Sequence, residues 1–178
     1  MKITNKLILV FVITGLFGCT SEKEKLEKQI KANEEKLFND STKMLDPKVA
    51  SEELEAYKKF VSAYPTDSAS PGYLFKAADL AHGLRKSHDA VRLYKDFISN
   101  YSNHTKIATS YFLLAFVYDN DLQQKDSAKI FYKQFLEKFP NHQLAPSAKA
   151  SLDQIEMGLT DEQLVKIFEA RLDSAKAK

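Results

Sequence analysis

An all-α fold, a stack of helical hairpins, is predicted for this chain, and three observations predict it. The first is a repeat. Tyr57-Lys-Lys-Phe60-Val-Ser-Ala-Tyr64-Pro65, Tyr94-Lys-Asp-Phe97-Ile-Ser-Asn-Tyr101-Ser102 and Tyr132-Lys-Gln-Phe135-Leu-Glu-Lys-Phe139-Pro140 carry one pattern at a near-constant period. A fixed period of this size marks a stack in which each unit buries its apolar face only against its neighbours. The second is hydrophobic periodicity: between 45 and 173 apolar residues recur every three to four positions, and no stretch alternates with period two long enough for a strand. The third is composition, with five Gly and five Pro in 178 residues, few for a strand-and-turn protein.

The N-terminus is read separately. Lys2 and Lys6 precede the apolar run Leu7–Phe17, which has signal-peptide length and is too short to span a bilayer. The run ends at Leu16-Phe17-Gly18-Cys19, directly before a charged stretch. This resembles the lipobox of bacterial lipoproteins, with residues 1–18 as signal peptide and Cys19 as the lipidated first residue of the mature chain. Phe17 is bulkier than that pattern usually carries, and an ordinary cleaved signal peptide with an incidental cysteine is the alternative. Cys19 is the single cysteine, so a disulfide framework is excluded. Several acyl chains on Cys19, palmitate among them, would hold the chain to a membrane surface at about 0.8 kcal/mol per buried CH₂.

Residues 19–44 read as the lipidated cysteine, a charged tether and a first helix. Leu26, Ile30 and Leu37 stand at helical spacing, over too few heptads for a coiled coil. Residues 45–158 hold the repeats. Asp46-Pro47 predicts a helix start with Asp as cap and Pro in the first turn. The helix it opens carries Leu54, Tyr57, Phe60, Val61 and Tyr64 on one stripe and stops at Pro65. Further helices are predicted over 73–84, 89–98, 106–118, 126–139 and 145–157. Residues 159–178 read as a capping helix, opened by the capping-box pattern Thr160-Asp-Glu-Gln163 and carrying Leu164, Ile167, Phe168 and Leu172.

Charge bounds the partners. Without residues 1–18 the chain has 24 basic and 24 acidic residues, so the basic excess that a nucleic-acid partner normally requires is absent.

One unit is specific enough to place in a family. Tyr111-x-x-Leu114-Ala115-x-x-Tyr118, then Ala128-x-x-x-Tyr132, then Pro140 resembles the tetratricopeptide repeat. Ala115 and Ala128 are small where two helices approach, and Tyr111, Leu114, Tyr118 and Tyr132 fill the space between them. The second unit fits at Tyr73, Ala77, Leu80, Ala90 and Tyr94, but Lys76 stands where Leu is expected and Ser102 replaces Pro. The first unit fits only in its second helix. The period is longer than the family's usual one, with the extra residues in the loops Arg85–His88 and Asp119–Lys125. The resemblance implies a tetratricopeptide-like superhelix of about three units. The Tyr-x-x-Phe-x-x-x-Tyr/Phe-Pro ending further resembles a subgroup among periplasmic and outer-membrane lipoproteins of Gram-negative bacteria. That subgroup includes the repeat lipoprotein of the outer-membrane β-barrel assembly machinery and the repeat protein coordinated with the Tol–Pal system.

Catalytic chemistry is not indicated. His82, His88, His104 and His142 are not paired with one another or with a Cys at metal-ligand spacing. His104 and His142 lie one period apart, each after an Asn, which predicts a turn role at the start of a helix. Asp119, Asp121 and Asp126 lack the order of a calcium loop, and phosphate-binding loops and serine elbows are absent. No enzyme activity, cofactor or metal is expected.

The family's geometry implies that the first helix of each pair lines the concave face. That face would display Leu74, Ala78 and His82 from the second unit and Phe112, Phe116 and Asn120 from the third. Phe112 and Phe116, four apart, project from one side of a helix and would suit a peptide hot spot. The alternative is burial under the C-terminal helix or the 22–40 helix. The expectation is a lipid-anchored scaffold on the periplasmic side of the outer membrane, binding protein partners in envelope assembly. A periplasmic chaperone or peptide-binding module, and a Tol–Pal-type coordinator self-associating through residues 22–40, are the alternatives.

Overall fold

The computed structural model describes residues 21–38 and 44–158, together with helical positions 163, 165, 166 and 169. Cys19 and the signal segment lie outside the described residues, as do Leu164, Ile167, Phe168 and Leu172 of the expected capping helix. Seven α-helices are described: α1 (Glu22–Glu34), α2 (Pro47–Ala63), α3 (Ser70–Gly83), α4 (Ser87–Asn100), α5 (Ile107–Phe116), α6 (Lys125–Lys138) and α7 (Ala145–Met157). Among the described residues the sole β-type pairing is an isolated bridge between Phe38 and Leu45.

Each helix packs principally on its neighbours in the chain, α1 on α2, α2 on α3, and so on to α7. The hairpins α1/α2, α3/α4 and α5/α6 are therefore successive units, with α7 opening a fourth. The all-α repeat stack predicted from the period is the observed fold.

Local chemistry sets the ends of the helices. Ser21 and Glu24 form a reciprocal capping box at the start of α1, each side chain accepting the other's backbone N–H at 3.1 Å. Asp46 Oδ1 accepts from the N–H groups of Lys48 (2.9 Å) and Val49 (3.1 Å), as its place before Pro47 predicts. α7 ends at Gly158, whose φ of +63° is the left-handed C-terminal cap that glycine adopts without strain.

The turns between units are copies of one another. Asp67 Oδ1 accepts from Ala69 N–H at 2.8 Å, His104 Nδ1 from Lys106 N–H at 3.1 Å, and His142 Nδ1 from Leu144 N–H at 3.2 Å. The two rings also stand edge-on to Phe97 (5.3 Å) and Phe135 (5.6 Å). Both histidines thus fill the turn role expected of them.

Tyr57, Phe60, Tyr94, Phe97, Tyr132 and Phe135 are the largest fully buried side chains. Each Tyr/Phe pair grips an aromatic ring from a first helix. Tyr73 lies 5.2 Å from Tyr57 and 4.8 Å from Phe60, Phe75 lies 5.6 Å from Phe97, and Phe112 lies 5.9 Å from Tyr132 and 5.8 Å from Phe135. Ala77, Ala78, Ala81, Ala90, Ala115 and Ala128 are fully buried, which is what lets the helix axes approach.

α5 gives way to a single π turn, Val117–Asp121, in place of the α-helix predicted to Tyr118. π turns are rare and concentrate at functional positions. Leu122 N–H closes it on Val117 O at 3.0 Å. The chain then turns through Gln123 at φ +52°, as it does one repeat earlier through Arg85 at φ +60°.

Candidate partner-binding surface

The six residues expected on one face do not form one open surface. Leu74 and Ala78 are buried, at 4% and 0% exposure, so neither offers surface to a partner. The reason is the short distance between neighbouring helices: a first helix flanked on both sides sinks two faces into the core, and only the strip between them stays accessible. Phe112 is half-buried against Tyr132 and Phe135 of α6. What covers it is its own hairpin partner; α1 packs at the other end of the stack.

Phe116, His82 and Asn120 are accessible. Phe116 is partly buried, 6.4 Å from Phe112 and 6.0 Å edge-on from His82. Asn120 is exposed and donates through Nδ2 to Phe116 O at 3.2 Å. His82 and Phe116 come from adjacent units, so α3 and α5 meet at this patch.

Two residues that the sequence did not single out for this face complete it. The π turn carries Asp121, whose largely buried Oδ2 lies 3.0 Å from His82 Nε2. Arg85 Nη1, on an otherwise exposed side chain, is 3.6 Å from Asp121 Oδ1. The sequence signal was present in the excess length of the repeat, since residues 119–125 and 85–88 are the loops where that excess falls. Asp121 is the last residue of the π turn and faces His82 and Arg85 of the preceding unit.

α5 itself is unusual. Its ten residues, Ile-Ala-Thr-Ser-Tyr-Phe-Leu-Leu-Ala-Phe, include no charge, yet Tyr111, Phe112, Leu113 and Phe116 are only partly buried. A helix apolar all round belongs in a core or under a partner. Here every residue of α5 is buried or partly buried, with Tyr111, Phe112 and Leu113 packed against the core, and Phe116 keeps limited access beside His82.

A second polar cluster joins α1, α2 and α3. Glu34 Oε1 accepts from Tyr57 Oη and from Lys76 Nζ, both at 2.6 Å. Burial pushes the Glu34 carboxyl up, but the hydrogen bonds from Lys76 and Tyr57 and the Lys76 charge outweigh it and hold it below the usual range. Lys76 Nζ also lies 5.8 Å and 5.9 Å from the Tyr57 and Tyr73 rings. The lysine that departs from the repeat pattern is thus the residue that ties α3 to α1. Tyr94 repeats the arrangement one unit on, donating to Asp79 Oδ1 at 2.6 Å.

Among the described residues no group of three or more metal-ligating side chains is assembled, and no helix is long and apolar enough to cross a membrane.

Comparison with known proteins agrees with the geometry. Residues 73–104 and 109–142 match the tetratricopeptide repeat family, and these segments span α3/α4 and α5/α6. No curated protein matches the chain. Repeats of this family serve as non-enzymatic scaffolds for protein–protein interaction, and no catalytic family is indicated. The two matched segments carry the tetratricopeptide-repeat pattern, and the all-helical stack is tetratricopeptide-like.

Proposed function

We propose that the protein is a lipid-anchored scaffold on the periplasmic side of the outer membrane, binding protein partners during envelope assembly. The single observation that carries partner binding is the patch where α3 and α5 meet: Phe116, partly buried on an uncharged helix, beside the accessible His82 and the exposed Asn120. Exposed apolar surface rimmed by polar groups is what protein interfaces look like before they close. Anchoring rests on the apolar run Leu7–Phe17 followed by the lone Cys19, and the envelope setting on the likeness of the repeat endings to those of Gram-negative lipoproteins.

Two experiments test the parts separately. Cells fed labelled palmitate should label the wild-type chain, and Cys19→Ala should abolish label and release the protein to the soluble fraction. A membrane-bound, unlabelled wild type would defeat the anchor. Phe116→Ser should remove partner proteins recovered with the wild type from detergent-solubilised envelopes while preserving the helical circular dichroism. Undiminished recovery would exclude this face.

The peptide-binding alternative uses the same face. It is favoured if Phe116→Ser abolishes capture of unfolded outer-membrane proteins and leaves folded partners unaffected.

A further inference from the structure

Glu53 of α2 is fully buried, and neither carboxylate oxygen makes a well-formed hydrogen bond, although the Asn33 amide and the Tyr57 hydroxyl lie close to it. A carboxyl in that position is tolerated as the neutral acid and strongly disfavoured as the anion. The groups facing it come from each neighbouring helix. α1 presents the Glu34 carboxylate and the Asn33 amide, whose Nδ2 is itself buried without a partner. On α2 the Tyr57 hydroxyl is nearby, but its proton is committed to Glu34. From α3, Tyr73 lies near, and Lys76 supplies the one positive charge, itself bound to Glu34 at 2.6 Å. Glu53 therefore faces a like charge across the α1–α2 junction, and the cation that could offset it is already engaged.

We infer that α1 is a pH-gated cover on the first unit, closed while Glu53 is protonated and released when Glu53 ionises. α1 is the terminal helix of the described stack and rests chiefly on α2. Its buried side chains are only Leu26 and Ile30, and its polar ties to the rest of the stack are the Glu34 contacts with Tyr57 and Lys76 and the Lys23–Asp67 ion pair. Burial first, and the Glu34 carboxylate second, push the Glu53 carboxyl up, against partial opposition from Asn33, Tyr57 and Lys76. Opening α1 gives Glu53 water and separates it from Glu34, and uncovers the α2 side chains beneath Leu26 and Ile30. Because folding raises the affinity of Glu53 for its proton, closure is favoured at low pH and lost as pH rises through the folded-state value.

Hydrogen–deuterium exchange of the full chain tests this, after correction for the intrinsic pH dependence of exchange. Protection of amides 22–34, relative to α4–α6, should fall as pH rises from about 5 to about 8, because the proton that the closed state holds more tightly stabilises closure only until it leaves. In Glu53→Gln that protection should be independent of pH over the same range. A wild type whose α1 protection does not change, or an equal fall in the variant, would overturn the inference. A second measurement needs no variant: the carbon-13 shift of the Glu53 carboxyl should titrate above the ordinary glutamate range. Titration at or below that range would overturn it as well.

Discussion

Tyr94 Oη donates a 2.6 Å hydrogen bond to Asp79 Oδ1 across the α3/α4 hairpin, and the equivalent hydroxyl one unit on, Tyr132 Oη, is buried without a partner. Burial pushes both phenols up, that of Tyr132 to about 12. Asp119, near Tyr132, is held instead by Lys125 at 2.6 Å. Tyr94→Phe should therefore cost about 1–3 kcal/mol, because a charged acceptor loses its donor. Tyr132→Phe should cost less than Tyr94→Phe, because the Tyr132 hydroxyl makes no well-formed hydrogen bond and its loss relieves a burial penalty. Urea unfolding of the two variants checks the contrast.

The turn histidines make a second prediction. His104→Ala and His142→Ala should each cost about 1 kcal/mol, the usual loss when a side chain that accepts a backbone N–H at a helix start is removed. His104→Asp should recover most of it, since Asp67 makes the same bond in the first turn. Thermal unfolding of the three variants measures both effects.

A third prediction concerns Phe112 and Phe116. Phe116→Ser should cost less stability than Phe112→Ser while reducing partner recovery, since Phe116 touches Phe112 and His82 but is not gripped by α6. Phe112→Ser should cost several times more, because it opens a cavity beside Tyr132 and Phe135. The single change at Phe116 is the usable probe; a double change would unfold what it is meant to test.

Backbone strain gives a fourth. Gln123 holds a left-handed conformation at φ +52°, where a side chain costs about 1–2 kcal/mol and glycine almost nothing. Gln123→Gly should raise the unfolding midpoint in urea, less the loss of the Gln123 Nε2 to Asn120 O hydrogen bond.

At acid pH the sign is set by Glu34. Its carboxyl is held below the usual range, so its contribution is present above the ordinary glutamate value and is lost as pH falls through the depressed one. Acidification to about pH 3 should therefore loosen α1. The loss should stay below about 1 kcal/mol, since Glu34 is a third exposed. Lys76→Met should remove most of this acid sensitivity, read by exchange at residues 22–34.

How much of this was legible depended on whether a residue acts through its chain neighbours. The Tyr-x-x-Phe endings revealed the stack because a helix that packs the same way in every unit must bury the same side chains each time. Asp46, Pro47 and Pro65 placed α2 because capping is local. His104 and His142 were readable by repetition alone. Glu53 was not, because nothing around it in sequence marks a glutamate whose outer face is covered by a helix from earlier in the chain. Asp121 was hidden by the π turn, which the residues themselves do not mark. Leu74 and Ala78 were misplaced because a family-level face does not say how deep each position lies.

The order of contacts, each helix chiefly against the next, has a mechanical consequence. No element among the described residues locks the first unit to the last, so pulling on one end should peel hairpins away in sequence, with the rest still folded behind the break. Such a chain yields as an extensible strap, lengthening in steps of one helical pair where a block would fail all at once.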